Sequence, residues 1–139
     1  MADVKAILPQ PTGDSAEFWA ACNRGVLLLR SCNACGHRFY YPRMMCPRCG
    51  DRSLGWVESR GEGTVFSYTD VQVSFYGPIW ESEVPYTVLL VDLDEGPRML
   101  SRLAGPREPL RVGRRVRVEF VRVEGQGLPF FRLAEASPR

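Results

Sequence analysis

Apolar and polar residues alternate along much of the second half of the chain, from residue 58 to residue 139. Val71, Val73 and Phe75 alternate with polar neighbours, which is typical of a half-buried strand. The run from Tyr86 to Asp92 is apolar on both faces and predicts a central strand. Five strands are predicted in all, over residues 64–75, 86–92, 98–103, 116–123 and 130–133. Because glycines mark the corners and no helical period intervenes, the pattern favours a small closed barrel of the OB type over a sandwich.

A helical pattern lies near the N-terminus. Asp14 and Glu17 stand three residues apart, which is the spacing of a capping box with an acidic cap, and Gly25 suits a helix C-terminus. A helix of about ten residues is marginal in isolation, so this one is expected to dock on the rest of the protein. Phe18 and Trp19 would lie about 100° apart around it. One can then face the body of the chain while the other faces a partner, or both can lie in one core.

Two near-identical cysteine motifs stand between these segments, Cys32-Asn33-Ala34-Cys35-Gly36 and Cys46-Pro47-Arg48-Cys49-Gly50. Two residues between cysteines allow both sulfurs to reach one ion, and the following glycine tolerates the tight backbone. Four thiolates complete a tetrahedral site and leave no open position, so we predict a structural metal and not a catalytic one. Zinc is the preferred ion, and iron in a rubredoxin-like site is the alternative. The chain is predicted to divide into a tail and docking helix (1–25), a zinc ribbon (26–57) and an OB-fold barrel (58–139).

The composition suits a packed cytoplasmic protein. Of the 139 residues, 45% are hydrophobic and 24% are charged, which permits a core and argues against general disorder. No apolar run approaches the ~18 residues of a membrane span, and the first residues lack the hydrophobic core of a signal peptide. In the reducing cytoplasm, paired cysteines bind metal more often than they form disulfides.

Charge is segregated along the chain although the net charge is only +2. Residues 1–57 carry a net +3, residues 58–96 a net −7 and residues 97–139 a net +6. Lys5 is the only lysine, and the other basic residues are arginines, whose forked side chains bind phosphate and carboxylate with two hydrogen bonds. The basic C-terminal third is compatible with an anionic ligand or partner, and equally with an ordinary solvated barrel surface.

Few residues are suited to catalysis. His37 is the only histidine and is interpreted as a solvated residue of the first cysteine motif. Cys22 has no evident histidine partner and is interpreted as a small buried residue. The segment from Tyr76 to Pro85 is long for a hairpin loop and presents Trp80 either to a partner or as a lid on the barrel end. We therefore expect no turnover by the chain alone.

Nucleic-acid binding is an alternative, because zinc ribbons and OB barrels both occur in nucleic-acid-binding proteins. The acidic first half of the barrel argues against it. The sequence pI of 8.3 also lies below the value of about 9 that marks a strong electrostatic footprint.

An ordered set of motifs extends over nearly the whole chain. It comprises Glu17-Phe18-Trp19, Cys32-x-x-Cys35-Gly36, Tyr41-Pro42-Arg43, Cys46-Pro47-x-Cys49-Gly50, Gly61-x-Gly63-Thr64-Val65-x-Ser67-Tyr68-Thr69, Pro85-Tyr86 and Val91-Asp92-Leu93. The set resembles the zinc-ribbon/OB-fold proteins associated with acyl-CoA metabolism, long described as a domain of unknown function. In one departure, Tyr41-Pro42 precedes Arg43 where many of those proteins carry two prolines.

The resemblance implies a small accessory subunit of a thiolase-superfamily enzyme, such as a thiolase, an acyltransferase, a hydroxymethylglutaryl-CoA synthase or a steroid side-chain aldolase. The partner would supply the catalytic residues in a hetero-oligomer, expected as a heterotetramer, and some family members associate with acyl-CoA hydratases. The small subunit would stabilise its partner and contact the bound CoA ester. The residues expected to bind CoA or the partner are Trp19, Arg43, Tyr68, Trp80, Arg102 and Arg117. The remaining alternatives are a free-standing acyl-CoA or lipid binder and an OB-fold nucleic-acid module.

Overall fold

A computed structural model describes residues 8–74 and 77–134, apart from the side chain of Ile79. Two helices and eight strands follow one another along these residues. The order is α1 (Ala16–Asn23), β1 (Leu27–Cys32), β2 (Arg38–Phe39), β3 (Leu54–Ser59), β4 (Glu62–Val71), α2 (Pro78–Glu81), β5 (Tyr86–Leu93), β6 (Arg98–Arg102), β7 (Arg115–Val123) and β8 (Gln126–Leu133).

Helix α1 begins one residue later than the sequence predicted. Ser15 and not Asp14 is the N-cap residue, so the predicted acidic cap is wrong. The hydroxyl of Ser15 makes no capping bond and instead accepts the backbone N–H of Thr12 at 3.0 Å. At the other end Gly25 has a φ of +75°, a conformation that glycine adopts without strain, and it ends the helix as expected.

Strands β4 to β8 form an antiparallel sheet in the order β6-β5-β4-β7-β8. Its two outer strands meet through a parallel bridge between Leu103 and Phe131, where the N–H of Ala104 donates to the carbonyl of Phe131 at 2.7 Å. This contact nearly closes the sheet into a five-stranded barrel of the OB type. The predicted fold, which is mainly β with an N-terminal helix, a rubredoxin-like ribbon and an OB barrel, is confirmed.

The ends of several elements differ from the sequence prediction. Strand β4 ends at Val71 and not at residue 75, because its partner β5 begins at Tyr86, opposite Val71. Val73 is exposed, and Phe75 lies outside the described residues. The connection to β5 contains the short helix α2, which begins at Pro78 where a missing N–H costs nothing. Strand β3 crosses the predicted boundary at 57/58, and the division into three segments stays a prediction.

A smaller antiparallel sheet in the order β2-β1-β3 carries the cysteine motifs. Its strand β1 runs from the main core outward, since Leu27 and Leu29 are fully buried with the barrel residues whereas Cys32 belongs to a separate small cluster. Helix α1 buries Phe18 and Ala21 in the main core and contacts β1 and β8. The helix is therefore docked on the barrel, as the sequence predicted.

Candidate metal centre and neighbouring cavities

Four cysteine thiols meet between the two knuckles, the turns at residues 32–36 and 46–50. The Sγ atoms of Cys32, Cys35, Cys46 and Cys49 all lie within 4.8 Å of one another. The Sγ of Cys32 is 3.6 Å from that of Cys49, and the Sγ of Cys35 is 3.7 Å from that of Cys46. A tetrahedral ion with Zn–S bonds of about 2.3 Å requires S–S edges of about 3.8 Å, so the donor set fits a single structural zinc. The ion would cross-link the knuckles and, with four thiolates around it, would have no position for water or substrate.

The knuckles share one backbone geometry. The N–H of Gly36 donates to the carbonyl of Cys32 and the N–H of Gly50 to the carbonyl of Cys46, each at 2.9 Å. Both glycines have positive φ angles, +76° and +80°, which explains why each motif ends in glycine. The N–H of Arg48 lies 3.4 Å from the Sγ of Cys46, in the direction that stabilises a thiolate.

The thiols are electrostatically linked. Burial alone would raise the pKa of Cys46, but the backbone N–H groups of Cys49 and Arg48 outweigh it and lower the pKa to about 7. The pKa of Cys49 is raised to about 12, because the backbone hydrogen bond at Asp51 lowers it less than burial and the neighbouring thiols raise it. Because zinc binds thiolates, binding of the ion would release the protons of these thiols.

A basic cleft of about 750 Å³ lies beside the ribbon, between its β2 hairpin and the turn that joins β5 to β6. Four arginines line it, Arg38, Arg43, Arg48 and Arg98, together with one carboxylate, Glu95, which accepts hydrogen bonds from Ser59 and from the backbone N–H of Arg60. Arg98 pairs with Asp92 at 2.7 Å and stacks 3.4 Å from the centre of the Phe66 ring. Among the described residues, the other three arginines form no ion pair. The cleft can therefore accept an anionic group without first breaking an internal pair.

An apolar groove of about 600 Å³ runs along the barrel between α1 and α2. Trp19, Trp80, Tyr86 and Phe130 are among the residues that line it. Tyr40 lines both this groove and the basic cleft, so the two cavities adjoin at that side chain. The structure thus places an apolar site directly beside a cationic one.

Three of the predicted binding residues meet in the apolar groove. Trp19 and Trp80 line its walls, and the indole N–H of Trp19 donates to the hydroxyl of Tyr41 at 2.8 Å. Arg102 also lines the groove, where it pairs with Glu83 at 2.9 Å and lies over the ring of Tyr86 at 4.7 Å.

The other three predicted residues are placed apart. Arg43 lines the basic cleft. Tyr68 lies on β4 beneath the guanidinium of Arg107, and Arg117 lies on β7 at 3.5 Å from Glu62. Neither Tyr68 nor Arg117 lines either cavity.

Arg38, Arg48, Arg98 and Tyr40 line these cavities but were not predicted from the sequence. A signal for the ribbon arginines is present, since residues 36–50 contain three arginines and no acidic residue. Arg98 could not be found in this way, because only the fold brings the β5–β6 turn next to the ribbon.

Arginines of the C-terminal third neutralise much of the acidic segment. Five of the eight acidic side chains of residues 58–96 pair with them: Glu62, Asp70, Glu83, Asp92 and Asp94. The charge segregation along the sequence is thus largely cancelled within the barrel. Among the described residues, the five arginines of the ribbon segment, Arg30, Arg38, Arg43, Arg48 and Arg52, have no such partner.

The two side chains considered for catalysis are placed as the sequence indicated. The ring of His37 is half-buried and stacks on Phe39 with centroids 5.9 Å apart. Cys22 is fully buried in the main core, and burial raises the pKa of its thiol to about 12. A thiol so far from ionisation at neutral pH is a poor nucleophile.

The fold and the four-cysteine site define a zinc-ribbon/OB-fold protein. The family model of the ChsH2 rubredoxin-like zinc ribbon domain matches residues 19–55, and that of the ChsH2 C-terminal OB-fold domain matches residues 56–121. The chain belongs to the ChsH2 family. The resemblance stated from the sequence motifs is thereby confirmed.

Individual relatives cover the chain to different extents. It is 30% identical in sequence to a chain of the solved "Ltp2-ChsH2(DUF35) aldolase", with a TM-score of 0.79 over 91% of this chain and 98% of that one. It is 33% identical over 134 residues to the "Probable enoyl-CoA hydratase alpha subunit" of Thermomonospora curvata, covering 94% of this chain but 41% of that protein. A "DUF35 domain-containing scaffold protein" of Methanocaldococcus jannaschii is 26% identical over 69% of this chain and 68% of its own length.

Within residues 8–74 and 77–134, neither helix has the length and apolar character needed to cross a membrane.

Proposed function

We propose that this chain is a non-catalytic scaffold subunit of a thiolase-superfamily enzyme that acts on acyl-CoA, and that it contacts the CoA ester. The observation that carries the proposal is the similarity, over 98% of its length, to the chain of the Ltp2-ChsH2(DUF35) aldolase. The term "scaffold" in the name of the Methanocaldococcus jannaschii relative supports the same role. A complex with two copies of each subunit, the association with an acyl-CoA hydratase and the chemistry of the acyl group belong to this proposal.

Among the residues that the structure describes, no nucleophile is paired with a base, which supports a non-catalytic role. His37 is engaged with Phe39 beside a zinc ligand, and Cys22 is a buried thiol with a raised pKa. The zinc site has no open coordination position. The chemistry of the complex would therefore come from the partner, and this chain would contribute position and binding surface.

The paired cavities support CoA contact. CoA carries phosphates at one end and an apolar acyl chain at the other, and this chain has a cationic cleft and an apolar groove that adjoin at Tyr40. We place the phosphates beside Arg38, Arg43 and Arg48, whose forked side chains suit phosphate oxygens. The acyl end would pass Tyr40 toward Trp19, Trp80 and Arg102. The roles of Tyr68 and Arg117 in binding stay predictions, because neither residue lines the cleft or the groove.

Affinity purification of the full chain from its native cells tests the scaffold role. We expect a thiolase-superfamily protein to co-purify in stoichiometric amount, identified by mass spectrometry, with light scattering to give the subunit count. The chain alone is expected to show no turnover of acyl-CoA esters. A monodisperse monomer with no co-purifying thiolase-superfamily protein would overturn the proposal.

Titration of the purified complex with acetyl-CoA tests the cleft. Loss of charge-assisted hydrogen bonds in an Arg43→Gln/Arg48→Gln variant should weaken binding by about tenfold or more. Arg117→Gln is the matched comparison, because that arginine is exposed and lies outside both cavities. A larger loss in Arg117→Gln would move the phosphate site to the barrel surface. Tight binding of acetyl-CoA by the isolated chain would instead favour the free-standing acyl-CoA binder.

A further inference from the structure

An exposed apolar set lies in the segment that joins the two knuckles. It consists of Tyr41, Met44 and Met45, whose exposed fractions are 37%, 63% and 46%. These three belong to the few exposed large hydrophobic side chains among the described residues, and they fall within five consecutive positions. Methionine and tyrosine are enriched at protein interfaces, where the flexible thioether adapts to the opposing surface. We call this set the ribbon tip.

The ribbon tip is held on both sides. Pro42 is fully buried, and the hydroxyl of Tyr41 accepts the indole N–H of Trp19 at 2.8 Å. On the other side Met45 directly precedes the buried zinc ligand Cys46. Side chains presented from an anchored backbone lose less conformational entropy when they bind, which favours a docking surface over a solvated loop.

The charge around the ribbon tip is of one sign. Residues 36–50 carry Arg38, Arg43 and Arg48 and no acidic residue, and these arginines pair with no described residue. A second copy of this chain would be a poor match, because most carboxylates of its acidic segment already pair with arginines of the same barrel. The complementary surface is an apolar pocket with a rim of carboxylates on a different protein.

We infer that the ribbon tip is the surface through which this chain docks into a carboxylate-rimmed apolar pocket of its thiolase-superfamily partner. The inference rests on the proposed scaffold role and adds to it the surface and the chemistry of the contact. It shares Arg38, Arg43 and Arg48 with the CoA proposal, but its apolar residues are distinct, since Tyr41, Met44 and Met45 line neither the basic cleft nor the apolar groove.

Parallel purifications from native cells test the inference with the full-length tagged chain and a Met44→Gln/Met45→Gln variant. The readout is the amount of thiolase-superfamily protein recovered per mole of tagged chain, followed by the Kd between the two purified proteins. We expect the variant to raise the Kd by at least about tenfold, because two central apolar anchors are lost. Val112→Ser is the matched control, since Val112 is 62% exposed but lies outside the ribbon. Zinc content shows whether each variant retains a folded ribbon.

Two single variants test the charge of the pocket. Both Met44→Glu and Met44→Lys remove the apolar side chain, but a carboxylate rim should repel the glutamate and attract the lysine. We therefore expect the glutamate variant to bind more weakly than the lysine variant, with the difference shrinking at high salt.

The outcomes are distinguishable. Equal recovery of the partner by the wild type and by the Met44→Gln/Met45→Gln variant overturns the docking surface and leaves the scaffold role standing. Weaker binding of Met44→Lys than of Met44→Glu overturns the carboxylate rim. If the wild-type chain recovers no thiolase-superfamily protein, the scaffold role and the docking surface both fail.

Discussion

The barrel and the zinc ribbon differ in the size of their cores. Fifteen buried residues form the main core, which joins α1 and β1 to the barrel strands. The ribbon cluster contains three buried residues, Cys32, Phe39 and Cys46, of which two are zinc ligands. Since hydrophobic stabilisation scales with buried apolar area, the main core can hold the barrel, α1 and β1 together without the metal, whereas the cysteine knuckles depend on it.

The two regions also differ in how their charges are balanced. Barrel carboxylates pair with barrel arginines, as in the pair of Asp94 with Arg115 at 2.7 Å. Within the described part of the chain no carboxylate pairs with the ribbon arginines, three of which, Arg38, Arg43 and Arg48, line the basic cleft. Such exposed pairs stabilise a fold by only about 0–1 kcal/mol each, so their main effect is to cancel charge. Much of the charge of the acidic segment is thus paired within the barrel, whereas the ribbon arginines are available to an anionic ligand or partner.

Loss of zinc should destabilise the protein more than any other change proposed, and it should destabilise the ribbon only. Cys46→Ala removes a buried ligand, and structural zinc sites supply roughly 10–16 kcal/mol of binding free energy that is coupled to folding. We expect amides of residues 32–50 to lose protection from hydrogen exchange while amides of β5 keep theirs. Exchange measured by mass spectrometry, with zinc content determined on the same samples, checks this.

Cys22→Ala is the matched control for that experiment. Cys22 is also a buried cysteine, but it lies in the main core and is not a ligand. The Cys22→Ala variant should retain one zinc per chain, and its ribbon amides should stay protected from hydrogen exchange. If β5 lost protection together with the ribbon in Cys46→Ala, the two regions would form one cooperative unit and the comparison drawn above would be wrong.

The sequence was informative wherever the determinant is local. Cysteine spacing predicted the metal site, and period-two alternation predicted the barrel strands. The C-terminal end of β4 is set by its pairing with β5, and the basic cleft is formed by the ribbon together with the β5–β6 turn. Neither feature is visible in a local stretch of sequence. Periodicity tells which face of an element is buried, but it does not tell which distant turn lies next to it. Arg98 lines the same cleft as Arg43 and Arg48 only because β5 and β6 place their turn beside the ribbon.

Phe18→Ala should cause the second-largest loss of stability. Phe18 lies where the main core touches the ribbon. Phe18 is fully buried in the main core and lies within 5.8 Å, centroid to centroid, of the ribbon tyrosine Tyr41. Truncation of a buried phenylalanine costs about 3–5 kcal/mol, through lost burial and the cavity left behind. Urea unfolding checks the value.

Phe66→Ala is the control for this experiment. Because Phe66 is 46% exposed, its truncation should lower the free energy of unfolding by under about 1 kcal/mol. Equal losses would show that α1 does not anchor the ribbon to the main core.

Asp70→Asn should cause the smallest loss of stability. It tests the ion pairs between carboxylates and arginines of the barrel. Arg107 donates hydrogen bonds to both carboxylate oxygens of Asp70, at 2.6 and 3.1 Å, and Thr87 donates another at 2.6 Å. These hydrogen bonds, that from Arg107 foremost, hold the pKa of Asp70 at about 2, below the value of about 3.9 for an unfolded chain. Because the folded pKa is the lower one, the unfolded state binds more protons between these values. The stabilisation is therefore present above about pH 4 and lost as the pH falls toward 2.

The urea midpoints of the wild type and of Asp70→Asn should consequently differ most at pH 7 and converge near pH 2. Glu119→Gln is the comparison variant, since Glu119 makes one longer contact with Arg132 at 3.3 Å, and its effect at pH 7 should be smaller. A gap between the wild type and Asp70→Asn that stays constant from pH 7 to pH 2 would mean that the variant acts through the shape of the site and not through its charge. The barrel pairs would then be incidental surface contacts, and unpaired charge would no longer distinguish the ribbon from the barrel.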